Sequence, residues 1–265
     1  MSDLIDTPKP EICSPPRDVL YDDGTHSRAL LGFIILSMDL VMEENIFRLC
    51  PEGVGPSVTR LDSTNDCNLA TLAAQIDGMA EAASILQPQA RPAVVCYACT
   101  SGSIVIGEDQ VCDEIRRGAT WAKPSTLVTG AVNGLRRVGA HKIVVATPYL
   151  DETNTAEAVF LQQKGFEVLD IQGLNVEDNE AMGRIKPSYI RDFALSIDQP
   201  DADAIFVSCG GIRTIDVLQE IEDTAGKPVI SSNQAMMWDC LRRAGIDDKI
   251  AGYGQLFLLD WEQSF

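Results

Sequence analysis

Two stretches of this chain repeat one another at a fixed interval, and that repetition limits the folds open to it. The run GFIILSMD (32–39) is answered by KIVVATPY (142–149), and VVCYACTSGS (94–103) by DAIFVSCGGI (203–212). Ile34 pairs with Val144, Ser37 with Thr147, Asp39 with Tyr149 and Cys99 with Cys209, every pair at the same separation along the chain. Two blocks in one register, each joining a strand to a turn, point to a duplicated α/β unit. The same alternation runs through the chain. Short apolar runs at 31–37, 57–62, 93–97, 142–147, 166–171, 204–208 and 228–231 read as strands. Segments 68–86, 155–164, 188–196, 215–224 and 234–244 carry helical spacing, and Gly165, Gly226 and Gly245 stand where helix C-caps belong. Strands alternating with helices imply parallel sheets covered on both faces. The expected fold is therefore α/β, with two pseudosymmetric lobes, each a parallel sheet flanked by helices, and an active site in the cleft between them. The expected division is a flexible arm over residues 1–27, one lobe from 28–128 with 236–265, and a second lobe from 129–235.

Composition narrows the function. The chain has 265 residues, 45% apolar and 23% charged, which is ordinary for a globular protein with a real core. A net charge of −18 argues against nucleic acid or an anionic membrane as partner, because both would repel it. No apolar run is long enough for a membrane span. The polar, proline-rich start lacks the pattern of a signal peptide, so the expected location is cytoplasmic. The eight cysteines are scattered, unlike a disulfide scaffold, and only two histidines, His26 and His141, are present to build a zinc site or a serine-type triad. No metal and no cofactor are expected, and the expected partner is a small carboxylate. A homo-oligomer is left open.

In a doubly wound sheet, ligands bind beyond the carboxyl ends of the strands. Cys99 and Cys209 both sit at such ends, and a pseudo-twofold axis would bring them to one cleft from opposite sides. Each precedes a small, polar, glycine-bearing turn leading to a helix, an environment expected to favour the thiolate. The N–H groups of these turns, with Thr100, Ser101, Gly210 and Gly211, would suit a carboxylate. One thiolate could remove a proton beside the carboxylate while the opposite thiol returns one from the other face, inverting the carbon. Cys96, two residues beyond Val94 in the strand, should face the core as packing; the Cys-x-x-Cys spacing also fits a redox pair or, less well, a metal ligand pair. CGGIRT falls short of a dinucleotide-binding loop. A non-catalytic two-lobed binding protein would share the cleft but would have no use for the thiols. Cys13, Cys50, Cys67, Cys112 and Cys240 read as packing or incidental thiols.

CTSGS and SCGGIRT, with ATPY and SSNQAMMW, resemble the aspartate/glutamate racemase superfamily, in the branch of maleate isomerase, arylmalonate decarboxylase and the ectoine-utilisation protein A group. The resemblance runs over residues 28–258. It implies a two-lobed α/β protein working without cofactors, with Cys99 and Cys209 as the acid/base or nucleophilic pair. It further implies Tyr149 bonded to substrate, Asn233 shaping the pocket, and Thr100, Ser101, Gly210 and Gly211 holding a carboxylate. Both cysteines are present, which favours racemisation, epimerisation or isomerisation over decarboxylation, where the resemblance implies only the second. Asp39 stands where maleate isomerases have asparagine. A carboxylate there would repel a dicarboxylate and welcome a cation, so an ectoine-, hydroxyectoine- or diaminobutyrate-type zwitterion is expected over maleate. Asp39 and Asn233 could equally cap the helices that follow them. Tyr149 could be a surface-turn residue.

Overall fold

The structure, a computed structural model, describes residues 13–260. Residues 1–12 of the expected arm lie outside the described residues; 13–28 are exposed, and 13–24 carry no regular structure. The strands are β1 (Ala29–Leu36), β2 (Val54–Leu61), β3 (Val94–Tyr97), β4 (Lys123–Thr126), β5 (Lys142–Thr147), β6 (Glu167–Gly173), β7 (Ala204–Val207) and β8 (Val229–Ser231). They form two all-parallel sheets, ordered β2-β1-β3-β4 and β6-β5-β7-β8. The second order is the first shifted by four strands, and β7 follows β3 at the very interval of the sequence echo. Each lobe is thus an α/β unit of the kind the repeat predicts.

The helices are α1 (Met42–Leu49), α2 (Leu69–Ala74), α3 (Met79–Ser84), α4 (Thr100–Ile106), α5 (Glu108–Gly118), α6 (Leu127–Arg137), α7 (Asp151–Gln163), α8 (Asn179–Gly183), α9 (Pro187–Ser196), α10 (Leu218–Ala225) and α11 (Ser232–Arg243). The predicted spans are found within a few residues, but helices α5, α6 and α8 correspond to no predicted span, and two further differences stand out. The single helix expected over 68–86 is two, α2 and α3, broken at Gly78, whose φ of +80° leaves the helical region. Asn68 and Thr71 close a reciprocal capping box at the start of α2. Strand β4 has no counterpart among the predicted strands, because Lys-Pro-Ser-Thr has no apolar signature; it is tolerated as an edge strand, where Pro124 costs no central ladder bond.

Strand residues alternate between two apolar layers. Phe33 and Ile35 enter one, together with Val145 and Phe206, while Ile34 and Leu36 enter the other with Val144 and Val207. The first layer joins the lobes. It contains Leu127 and Leu135 of α6 and Met236 and Trp238 of α11, and Cys96 is buried in it as packing. Helix α11 is buried along nearly its whole length, from Ser232 to Arg242. It can approach α6 only because Gly130 has no side chain: a Cβ there would lie 2.8 Å from the Met236 Cα and 2.9 Å from the Ala235 carbonyl oxygen. Among the described residues, no helix is long and apolar enough to cross a membrane.

Backbone cannot yield as a side chain can, so Gly130→Ala is expected to push α6 from α11 and destabilise the protein by about 1–3 kcal/mol. Thermal denaturation checks this as a fall of several degrees in Tm; an unchanged Tm would contradict the close crossing.

Candidate active site

Cys99 follows β3 in extended conformation and caps α4, its Sγ accepting the Gly102 N–H at 3.3 Å. The Tyr97 hydroxyl, which donates to Gln75 Oε1, also bears on this sulfur, and Ser101 Oγ lies 3.8 Å from it. Cys67 adds a second thiol behind it, 3.9 Å from Ser101 Oγ. The strand pattern gives the Tyr97 hydroxyl no signal, and Cys67 reads in the sequence as incidental. Its identity alone could not reveal that the loop after β2 folds back onto Ser101.

Cys209 follows β7 with a φ of +143°, a region that residues with side chains seldom adopt. Three contacts hold it there. Its N–H donates to Ser232 Oγ at 3.0 Å, its Sγ accepts the Gly211 N–H at 3.2 Å, and Asn233 Nδ2 donates to the Gly210 carbonyl at 2.9 Å. Gly210 is constrained sterically, since a Cβ there would lie 2.6 Å from the Met42 Cε on α1, whereas a Cβ at Gly211 would make only ordinary contacts. Thr100 Oγ1 also donates to Ser232 Oγ, at 3.0 Å. One buried hydroxyl at the head of α11 therefore ties the first turn to the second.

Between the turns lies a cleft of about 400 Å³, counted to its open mouth. Cys99, Cys209, Thr100, Ser101, Gly210, Gly211, Tyr149 and Asp39 all line it. Cys99 and Cys209 thus meet one space, 8% and 6% exposed. Leu36, Met38 and Leu40 give it an apolar wall, and Asn179 adds an amide that nothing in the sequence singles out. Asn233 is not on the wall; it is buried behind the second turn, bonded to Asn45 and the Gly210 carbonyl. The Thr100 hydroxyl is directed at Ser232, leaving its backbone for a ligand. Tyr149 is buried rather than a surface-turn residue; it lines the cleft with Cys209 and favours that thiolate. Asp39 holds the start of a helix and also lines the cleft. Its Oδ1 accepts the N–H groups of Val41 and Met42, at 2.7 and 2.6 Å, fixing the start of α1, while the half-buried carboxylate lines the cleft. Arg60 donates to the carbonyls of Leu36, Ser37 and Asp39 and pairs with Glu43, so it braces this loop.

The electrostatics correct one expectation. The turns do stabilise the thiolates, but burial wins at both. Burial pushes the Cys99 thiol up, with the Asp39 carboxylate adding to the rise and the Gly102 N–H, Ser101 and Tyr97 opposing it. Burial pushes Cys209 well above the ordinary thiol range, against hydrogen bonds from Tyr149 and the Gly211 N–H. Burial also raises the carboxyl of Asp39, opposed by the Met42 and Val41 N–H groups. Among the described residues, no lysine, arginine or histidine lines the cleft. An anion there would find its donors in N–H groups, hydroxyls and the Asn179 amide, and among the described residues no cluster suited to a metal ion is present.

Two loops close over this space. Residues 65–67 and 177–179 pair antiparallel, with the Cys67 N–H donating to the Glu177 carbonyl at 3.1 Å, the Asn179 N–H to the Asn65 carbonyl at 3.0 Å, and a β-bridge between Asp66 and Asp178. Cys67 and Glu177 stand at the same separation as Cys99 and Cys209, so the pseudo-twofold axis relating the lobes passes between them.

Comparison with known proteins agrees with this architecture. The family model described as arylmalonate decarboxylase matches residues 65–257. Arylmalonate decarboxylase of Bordetella bronchiseptica is 37% identical over 144 residues, a stretch spanning 53% of this chain and 60% of that enzyme. Maleate isomerase of Nocardia farcinica is 27% identical over 179 residues, 64% of this chain and 71% of that one. A maleate isomerase of Pseudomonas putida S16, solved with maleate, superposes with a TM-score of 0.80 over 86% of this chain and 97% of its own, at 23% identity. The chain belongs to the arylmalonate decarboxylase family and shares the fold of arylmalonate decarboxylase and maleate isomerase structures, consistent with the aspartate/glutamate racemase-like superfamily.

Proposed function

We propose that this protein is a cofactor-independent racemase or epimerase that uses Cys99 and Cys209 as paired acid and base on a small carboxylate bearing a cationic group. The observation that carries this reading is the presence of both sulfurs on one narrow cleft, at the matched strand ends of two equivalent lobes. The carboxylate would rest on the N–H groups of the two turns, where preorganised donors strengthen as charge develops in an enolate-like transition state. One thiolate takes the proton from the carbon beside it. The facing thiol donates a proton to the opposite face, and the two exchange protonation states. The protein alone holds both thiols above their ordinary range, so substrate must help create the thiolate. Burial is the main cause of the rise; a cation beside Asp39 would relieve the smaller part that the Asp39 carboxylate adds at Cys99.

The same argument supports a zwitterion of the ectoine, hydroxyectoine or diaminobutyrate type, and so a role in the breakdown of such compounds. Asp39 Oδ1 is occupied with the start of α1, whereas its Oδ2 accepts no hydrogen bond among the described residues and is free for a cation. A second reading, cis-trans isomerisation of the maleate type, needs the same two sulfurs, one adding to the alkene carbon. The negative charge of Asp39 disfavours it, because a dicarboxylate would place its second charge against that wall.

Candidate amino acids and ectoine derivatives incubated in deuterated water are expected to take up deuterium at the carbon beside the carboxylate and to interconvert enantiomers. Cys99→Ala and Cys209→Ala should each slow inversion by about 10²–10⁴-fold. Exchange surviving both substitutions would remove the two-thiol mechanism, and carbon dioxide release without inversion would place the protein with the decarboxylases. Asp39→Asn keeps the helix cap, since asparagine caps as well as aspartate. It should leave Tm near the parent value, weaken zwitterion binding by about tenfold or more in calorimetry, and improve maleate binding. Preference of the parent protein for maleate over every zwitterion tried would contradict this substrate class.

A further inference from the structure

Helix α7 turns a polar face inward. Its buried residues are Thr153, Asn154, Glu157 and Leu161, only the last of which is apolar. Buried polar groups are costly unless bonded, so such a face on a helix packed against a sheet calls for a cause. Part of the cause is visible. Asn154 Oδ1 accepts the Thr147 hydroxyl at 2.6 Å, and Thr147 Oγ1 accepts the Tyr149 N–H at 3.1 Å, so α7 sets the turn that carries Tyr149. Glu157, one turn further along, is not explained in this way. It is fully buried and neither carboxyl oxygen has a hydrogen-bond partner. The Ser208 hydroxyl, which bears on it and belongs to the residue before Cys209, is likewise buried without a partner.

Among the described residues, no cation compensates this carboxyl. Burial pushes it up to about 7, with Ser208 the one opposing influence. The titratable group in its field is Tyr149, which lines the cleft with Cys209 and favours that thiolate. Helix α4, packed against α7, carries no titratable residue. On β6, also packed against α7, Glu167 faces Lys142 and Asp170 accepts from Gln172. Ser208, just past the end of β7, bears on it.

We propose that Glu157 is a positioning residue that acts through Tyr149 and Ser208 to set the reactivity of the Cys209 thiol: the neutral carboxyl leaves Tyr149 a strong donor to sulfur, and the ionised carboxylate weakens that bond and disfavours the thiolate. The inference rests on Cys209 being a working thiol, but thiol reactivity can be read without substrate, so it stands or falls separately from the proposed reaction.

The test is alkylation of the full-length protein by iodoacetamide across neutral pH, quantified at each cysteine by mass spectrometry. Thiolate fraction, and hence rate, rises with pH below a thiol's pKa. The parent Cys209 profile should flatten as pH passes about 7, where Glu157 ionises. Glu157→Gln should remove that inflection, matching the parent rate at low pH and exceeding it by about threefold or more above neutrality. The Cys99 profile should be the same in both proteins and serves as the control for folding. Superimposable Cys209 profiles in parent and variant would overturn the proposal. If the variant does not fold, the parent profile decides: a Cys209 rate climbing through neutrality without inflection would overturn it equally.

Discussion

The whole site depends on one buried hydroxyl. Ser232 opens α11, the helix enclosed between the two sheets, and its Oγ receives both the Thr100 hydroxyl of the first turn and the Cys209 N–H of the second. A buried N–H left without a partner costs about 1–3 kcal/mol, and Cys209 also carries an unfavourable φ. That backbone persists because Ser232 and Asn233, adjacent residues of one rigid helix, grip the Cys209 N–H and the Gly210 carbonyl. The seam between α6 and α11, kept close by Gly130, then fixes the position of Ser232 relative to both lobes. Placement of the two sulfurs is thus a consequence of core packing rather than of mobile loops.

The chemistry follows from the charge balance of the cleft. With no cationic side chain on its wall and one carboxylate, the protein alone opposes negative charge there, and both thiols are held in the protonated form. A substrate that brings its own cation changes this balance as it binds. In the proposed reaction, thiolate formation would then be coupled to occupancy. Asp39 contributes at both levels, anchoring α1 through one oxygen and presenting charge to the cleft.

Much of this was legible in the sequence, because duplication converts one recognised motif into two. The constant offset located β3 and β7, and with them both cysteines and the matched positions Asp39 and Tyr149, residues that all border the cleft. Gly210 could be read as a close-approach position, though its neighbour is Met42 rather than a ligand. The rest was hidden for identifiable reasons. Tyr97 sits in an apolar strand where its hydroxyl leaves no trace in the pattern. Cys67 and Asn179 reach the site through loops whose pairing is purely tertiary. Ser232 and Asn233 form an ordinary helix start, and nothing local separates Ser232, which bridges two lobes, from a simple cap. The acidity of the thiols is overestimated from sequence because the dipoles of a turn are visible there while the burial that outweighs them is not.

The central claim is that two single-proton groups address one carbon from opposite faces. The direct measurement is the isotope content of each enantiomer as one pure enantiomer is converted in deuterated water. The account predicts that the newly formed enantiomer carries one deuterium from the first turnovers, while remaining substrate stays unlabelled. Deuterium accumulating equally in remaining substrate and product from the outset would show a single group serving both faces, and would contradict it.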